Sequence, residues 1–303
     1  MNLSLRALRY VVETADCGSV TEAAKRLNVS QPSVSMALSQ VETELGVQIF
    51  VRHHARGVTL SAAGQRLVND ARLLLNHARD FAQSAHSLGD ALRGEIVVGC
   101  FPTLAIRFMP GLLSGFSKRY PGISVKLEEG DQQEMIGHLV SGRTELALSY
   151  NFAVPEEITG EKLADFPPLV LVSADHRLAD REEVSLVELE EEPFILLDLP
   201  HSRDYFFNIF SACGLEPRIA FRTRSSELIR GLVGHGHGYS LHNVAPQTTI
   251  GYDGSRIAVL KLAETLPPAT VTFLRLTRHD LRPAVQAFAD YMRESFARGG
   301  IFG

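Results

Sequence analysis

Gly18-Ser19-Val20-Thr21-Glu22-Ala23-Ala24-Lys25-Arg26-Leu27-Asn28-Val29-Ser30-Gln31-Pro32-Ser33-Val34-Ser35 decides the first domain. Gly18 closes a helix predicted over Met1–Ala15, where Leu5, Leu8, Val11 or Val12 and Ala15 recur at helical spacing. Ser19 to Glu22 has the Ser-x-x-Glu form of a capping box, so a short helix starts there. Asn28-Val29 makes a turn. Ser30 is an N-cap residue, and Pro32 falls in the first turn, where its missing N–H costs little. The second helix runs to about Leu45, and Gly46 ends it. Its Val34, Leu38, Val41 and Leu45 share a core face. Pro32, Met36, Ser39 and Thr43 lie opposite, flanked by Ser33 and Ser35. An ordinary helical hairpin has the same periodicity. A helix-turn-helix differs in its small, polar, exposed N-terminal part, which can enter a major groove near base edges.

The next segment favours the helix-turn-helix. Ile49-Phe50-Val51-Arg52-His53-His54-Ala55-Arg56-Gly57-Val58-Thr59-Leu60 reads as strand, turn, strand. Its tip carries Arg52 and Arg56 with His53 and His54 between them. A basic wing of this kind can grip phosphate or the narrow minor groove.

The run Gly18–Ser35, with Leu45-Gly46-Val47-Gln48-Ile49-Phe50-Val51-Arg52 and Gly57-Val58-Thr59-Leu60-Ser61-Ala62-Ala63-Gly64, resembles the LysR family of bacterial transcriptional regulators. The resemblance extends over the full chain. It implies that Gln31, Pro32, Ser33, Ser35 and Arg52 face double-stranded DNA, and Met36, Ser39 and Arg56 share that surface. Two positions depart from the family pattern. Many relatives have Arg or another long polar residue where Met36 stands, and Thr where Ser61 stands. Met36 cannot make a bidentate bond to guanine, which leaves contact with a thymine methyl or no contact.

From Ala62 to Leu92 there is no proline. Leu67, Ala71, Leu74, Ala78, Phe81, Ala85, Leu88 and Leu92 alternate spacings of four and three, the a/d pattern of a coiled coil. A helix of that length would be roughly 46 Å long. The reading is a dimerisation helix, as the family resemblance implies. The bland alternative is a helix folded back on its own domain.

Beyond Gly94 the pattern alternates between strand and helix. Strands are predicted at Glu95–Cys100, Ser124–Glu129, Glu145–Tyr150, Leu169–Ser173, Phe194–Leu197, Ile219–Arg222, Tyr239–Leu241, Ile257–Leu260 and Thr270–Leu276. Helices are predicted after Thr103, at Gln132–Ser141, near Leu186–Glu190, at Arg203–Cys213, Ser226–Gly234 and Leu281–Phe296. This is an open α/β arrangement. The resemblance implies two lobes like those of periplasmic solute-binding proteins, two crossover strands and a cleft for a small effector.

The expected fold is therefore α+β and multidomain. It has a winged helix-turn-helix at 1–61, a linker helix at 62–93 and a two-lobed α/β effector domain at 94–303. Lobe I takes about 94–166 and 271–303, and lobe II about 167–270. Ligands of open α/β sheets bind beyond strand C-termini, where helix N-termini present free N–H groups. That rule selects Phe101, Pro102 and Thr103, then Tyr150 and Asn151, in lobe I. In lobe II it selects His201, Ser202 and Arg203, with Ser240, His242 and Asn243 on the far wall. Arg203 and His201 suit an anionic group, and Thr103 and Ser202 supply hydroxyls.

Length and charge set the outer limits. The 303 residues suggest about two domains, and the 45% hydrophobic fraction excludes a mainly disordered chain. The net charge of −5 hides an asymmetry: residues 1–93 hold 10 Lys+Arg against 8 Asp+Glu, and the acidic excess lies in the remainder. No apolar run approaches the roughly 18 residues that span a membrane. Met1–Arg9 lacks a secretory pattern, so a cytoplasmic protein is expected. Cys17, Cys100 and Cys213 form neither a disulfide framework nor a metal cluster. An oxidant-sensing role for Cys100 or Cys213 is an alternative reading. Gly234-His235-Gly236-His237-Gly238 reads as a helix-to-strand turn ahead of a metal site. No nucleophile elbow, phosphate loop or dinucleotide fingerprint occurs, which weighs against an α/β enzyme. No metal or cofactor is expected. The expected partners are DNA, a small-molecule effector, further copies of the chain in a homodimer or homotetramer, and RNA polymerase.

Overall fold

In the computed structural model, residues 3–53, 57–86, 92–277 and 280–302 are described. The head consists of α1 (Leu5–Cys17), α2 (Val20–Arg26), α3 (Gln31–Leu45) and the wing strands β1 (Phe50–His53) and β2 (Gly57–Leu60). Helix α1 starts later than the periodicity suggests because the Ser4 hydroxyl accepts from Ala7 N. It continues to Gly18, whose φ of 58° suits a residue without Cβ. Ser19 caps α2 through Glu22 N, but Glu22 pairs with Lys25 at 2.7 Å, so only half the expected box forms. Asn28, at φ 54°, turns the chain into α3. Val11, Val34, Leu38, Val41 and Ile49 fill the core of the head. The Glu42 carboxylate holds the wing by accepting from Ile49 N and Phe50 N at 2.8 and 3.0 Å.

The linker helix α4 (Ala62–His86) has 25 residues, about 37 Å at the usual rise. Gly64 allows it to cross the wing closely, since a Cβ there would lie 2.1 Å from the Ile49 carbonyl oxygen. Val68 and Ala71 are buried where α4 meets the head. Ala71 is thus spent within its own chain, unlike its predicted place in an open seam. Leu74 and Phe81 are 50% and 77% exposed. Leu88 lies outside the described residues, as does the side chain of Ala85. An apolar groove lined by Leu3, Leu8, Leu45, Val47, Leu67 and Leu74 runs beside this helix. Arg72 ties the head to the body, pairing with Asp16 and donating to the Ser141 carbonyl.

Lobe I is built on β3 (Gly94–Cys100), β4 (Ile123–Glu129), β5 (Leu146–Tyr150), β6 (Ile158–Phe166) and β13 (Ala269–Leu276), in the order β4-β3-β5-β13-β6. The first three pair in parallel, and β13 is antiparallel to β5 and β6. Helices α5 (Pro102–Arg119) and α9 (Pro283–Phe296) pack together on one face and α6 (Gln132–Val140) on the other. With both faces covered, every residue of β5 is buried. Strand β6 escaped the sequence reading because its burial alternates weakly and it carries Gly160, Glu161 and Lys162.

Lobe II contains β7 (Leu169–Ser173), β8 (Glu183–Val184), a 3-10 turn at Leu186–Leu189, β9 (Pro193–Leu197), α7 (Ser202–Ala212), β10 (Arg218–Thr223), α8 (Ser226–Gly234), β11 (Ser240–His242) and β12 (Ile257–Leu262). The helix expected near Leu186–Glu190 is that single 3-10 turn. The order β11-β7-β12-β8 is extended through a Phe194–Tyr239 bridge to β9 and β10. Among the described residues no helix is long and apolar enough to cross a membrane.

Arg282 and Glu145 form a buried ion pair under α9, with side chains 2% and 4% exposed. Arg282 Nε and Nη2 reach the two carboxylate oxygens at 2.5 and 2.6 Å, and Nη2 also donates to the Glu95 carbonyl. Arg282→Ala leaves a buried carboxylate unpaired and should cost about 3–5 kcal/mol in urea unfolding followed by circular dichroism. A loss below about 1 kcal/mol would show that water replaces the guanidinium.

Candidate functional site

Two regions concentrate the residues singled out by sequence. The first is the N-terminal part of α3. Ser30 caps it through Ser33 N, and Pro32 occupies the first turn. Val34, Leu38 and Val41 point inward, which turns Gln31, Pro32, Met36 and Ser39 to solvent. Met36 is 72% exposed, a large apolar side chain turned mostly to solvent. Ser33 and Ser35 are half-buried, and Gln31 donates to the Ser35 hydroxyl at 3.3 Å. Arg52 is exposed on β1, beside His53, whose ring bonds Thr59 across the wing at 2.8 Å. Arg56 lies outside the described residues. Apart from Pro32 and Met36, the exposed residues of this segment are short and polar, as groove entry requires.

The second region is a cavity of about 220 Å³ between the lobes. Thr103 and Tyr150 reach it from lobe I, and Ser202, His242 and Asn243 from lobe II. Thr103 Oγ1 lies 3.2 Å from the Tyr150 hydroxyl. Burial holds that hydroxyl well above its ordinary pKa, so it remains a donor. Asn243 donates to the Tyr205 hydroxyl at 2.9 Å and to the Phe166 carbonyl at 3.3 Å.

The other selected residues lie off the lining. Phe101 is 1% exposed and packs edge-on against the Tyr150 ring at 5.1 Å, so it supports the wall from behind. Pro102 is consumed in starting α5. The Asn151 N–H bonds the Thr270 carbonyl. His201 turns the chain into α7 at φ 62°. Arg203 is neutralised by Asp198 at 3.1 Å and Asp204 at 3.7 Å, so the anion role assigned to it has no free charge behind it. The Ser240 hydroxyl is taken by the Ile195 carbonyl at 2.7 Å.

Sequence reasoning missed the rest of the lining. Ile106 and Arg107 come from the next turn of α5, Leu171 and Leu197 from strands, and Phe206 from α7. Ser226, Glu227 and Arg230 come from α8, and Val244 to Thr248 from the loop after β11. A helical i+3 or i+4 step from Thr103, Ser202 and Ser226 would have found Arg107, Phe206 and Arg230. Arg107 crosses the interlobe gap, with Nη2 and Nε 2.8 and 3.2 Å from the Gln247 side-chain oxygen once that amide is oriented to accept from them. A second crossing joins Arg224 to Asp131 at 2.8 Å. The glycine-histidine stretch is a helix-to-strand turn: His235 pairs with Asp253 at 3.1 Å, and His237 packs on Phe221.

The comparisons agree with this layout. Residues 5–65 match the bacterial regulatory helix-turn-helix protein, lysR family, and residues 89–297 match the LysR substrate binding domain. The chain belongs to the LysR family of transcriptional regulators. It is 33% identical to the uncharacterized HTH-type transcriptional regulator YnfL of Escherichia coli over 247 residues, 80% of this chain and 82% of that one. It is 28% identical to a hydrogen peroxide-inducible genes activator of Dickeya chrysanthemi, covering 96% and 95% of the two chains. Among solved structures, the LysR-family regulator HinK of Pseudomonas aeruginosa is 38% identical, with a TM-score of 0.65 over 97% of this chain and 99% of that one.

In this LysR-type regulator His242 is buried, and burial, with Arg230 nearby, pushes its pKa down from 6.5 to about 4. The folded protein therefore keeps the ring neutral while the unfolded chain takes up a proton below about pH 6.5. This stability is fully present above pH 6.5 and is lost as the pH falls toward 4, by roughly 3 kcal/mol in total. Urea unfolding of His242→Phe across that range should lack this component. Identical pH slopes in the two proteins would refute the assignment.

Proposed function

We propose that this LysR-type regulator displays two heads to paired DNA half-sites, and that an effector between its lobes changes their spacing. The carrying observation is a cavity walled by both lobes and crossed by the Arg107–Gln247 contact. A ligand there touches both lobes at once, so its affinity depends on their arrangement. Such differential affinity is what effector control requires. Arg72, bonded to both α1 and the Ser141 turn, links that arrangement to the head. The regulator works in the cytoplasm, and RNA polymerase is its partner at the promoter.

The exposed residues of α3, with Arg52 on the wing, form the DNA-reading surface. Leu74 and Phe81, with the apolar groove beside them, are covered by the linker helix and head of a second copy. The cysteines weigh against an oxidant switch. Cys100 is fully buried and donates to the Phe101 carbonyl, and burial pushes its thiol well above the ordinary range. Burial raises the Cys213 thiol as well. Peroxide reacts with thiolate, which both environments disfavour.

Two measurements test these surfaces. Arg52→Ala should weaken binding of the regulator to its promoter DNA and reduce the salt slope by about one unit in gel-shift titrations. An unchanged slope would remove Arg52 from the interface. Leu74→Glu with Phe81→Glu should lower the solution mass to that of one chain in light scattering. An unchanged mass would place the subunit interface elsewhere.

A further inference from the structure

We infer that Phe302 is a positioning residue, whose ring holds the Arg107 guanidinium in the orientation that reaches Gln247 of lobe II. That this bears on effector control rests on the proposed role of the lobe arrangement; the chain of contacts does not. Arg107 rises from α5 of lobe I, and Gln247 lies in the loop after β11 of lobe II. Among the described residues no carboxylate pairs with this guanidinium, unlike those of Arg203 and Arg224. Two rings lie under it instead. Its Cζ is 5.0 Å from the centroid of the Phe108 ring and 5.6 Å from that of Phe302. From there its Nη2 and Nε reach the Gln247 oxygen at 2.8 and 3.2 Å, once that amide is oriented to accept.

Phe302 comes to Arg107 by a reversal of the chain after α9. Gly299 takes a φ of 85°, a left-handed conformation that glycine adopts without strain. Gly300 N then donates to the Ala297 carbonyl at 2.8 Å, and Phe302 N to the Ser295 carbonyl at 2.9 Å. The Phe302 ring packs 4.9 Å from Phe108 and 5.2 Å from Phe296. Phe108 is 2% exposed and lies 5.8 Å from Phe166, where the chain leaves lobe I, so the core of that lobe fixes it. Phe302 is the ring added from outside. A plug that only filled space there could be any large apolar residue. A guanidinium discriminates, because the negative face of an aromatic ring attracts it and its weak hydration lets it lie against that face. An arginine already held on two rings also loses less freedom when it bonds Gln247. Phe302 thus acts on lobe II through Arg107.

Hydrogen exchange of the full-length regulator, read by mass spectrometry over 243–250, tests the chain of contacts. Phe302→Leu keeps apolar bulk and removes the ring, and should quicken exchange in that segment about two- to fivefold. Arg107→Ala should do at least as much, and the double variant no more than Arg107→Ala alone. Phe302→Tyr keeps the ring and should match wild type. If Phe302→Leu quickens exchange in α5 and α9 but not over 243–250, the ring is a packing element and the proposal is overturned. A Phe302→Tyr variant that behaves like Phe302→Leu also overturns it. So does wild-type exchange in Arg107→Ala, or a double variant in which the two effects add. A footprint of Phe302→Leu on the DNA flanking its own coding region separates this role from effector control. Quickened exchange over 243–250 with a wild-type footprint keeps the role of Phe302 and rejects transmission from the lobes to the heads. An altered footprint with wild-type exchange there rejects Phe302 as a positioning residue and leaves that transmission standing.

Discussion

The chain has to leave lobe I and return to it, and the pinning of those two crossings governs the rest of the body. The outgoing crossing is Phe166-Pro167-Pro168 and the returning one precedes Ala269 at Pro267-Pro268. One hydrogen-bonded pair of side chains holds both. Tyr205 donates to the Pro267 carbonyl at 2.9 Å, while Asn243 donates to the Phe166 carbonyl and to the Tyr205 hydroxyl. Burial raises the Tyr205 pKa to about 12, so this donor does not ionise near neutral pH. Prolines fix φ on either side, which limits how the lobes can turn about the pair. Asn243 also lines the cavity, so a ligand there lies against the pivot itself.

Two polar contacts also cross between the lobes away from that pair. Arg224, 64% exposed, meets Asp131, whose side chain is 7% exposed and also caps α6. The Arg107–Gln247 contact joins an arginine to a neutral amide. Within each lobe the packing is of another order: Leu146, Leu148, Phe194 and Leu241 are completely buried. Two packed bodies joined through one hydrogen-bonded pair are the kind of element whose arrangement a bound ligand can bias. The aromatic series Phe101, Tyr150, Phe152 and Tyr205, with neighbouring rings 5.1–5.2 Å apart, runs across the junction. A change in lobe angle must therefore repack rings as well as break polar contacts.

How much of this could be read from the sequence depended on whether the deciding physics was local. Caps and turns are local, and Ser30, Pro32, Gly18 and Gly46 located the helices of the head to within a few residues. The parallel strands were visible as short apolar runs because both of their faces are covered. Strand β6 was invisible: it lies at an open edge, and only pairing with β13 makes it a strand. In the cavity, the strand-end rule brought out Thr103, Tyr150, Ser202, His242 and Asn243, since chain direction fixes where those residues emerge. It could not separate them from Phe101 or Ser240, which have neighbours elsewhere in the chain against them. Nor could it show that Asp198 occupies Arg203 while Arg230 keeps a free N–H, because those pairings are set by tertiary structure.

The position of β13 carries a consequence for biosynthesis. It lies between β5 and β6, so lobe I is completed by a segment that follows all of lobe II in the chain. Until residue 269 leaves the ribosome, β5 has an unpaired edge and α9 is missing from the sheet that it covers. The head and then lobe II, as a continuous insert, can fold before β13 and α9 are made, but lobe I must wait for both. The nascent chain thus holds a DNA-reading head before it has a finished body. The open β5 edge is the surface most in need of protection during that interval.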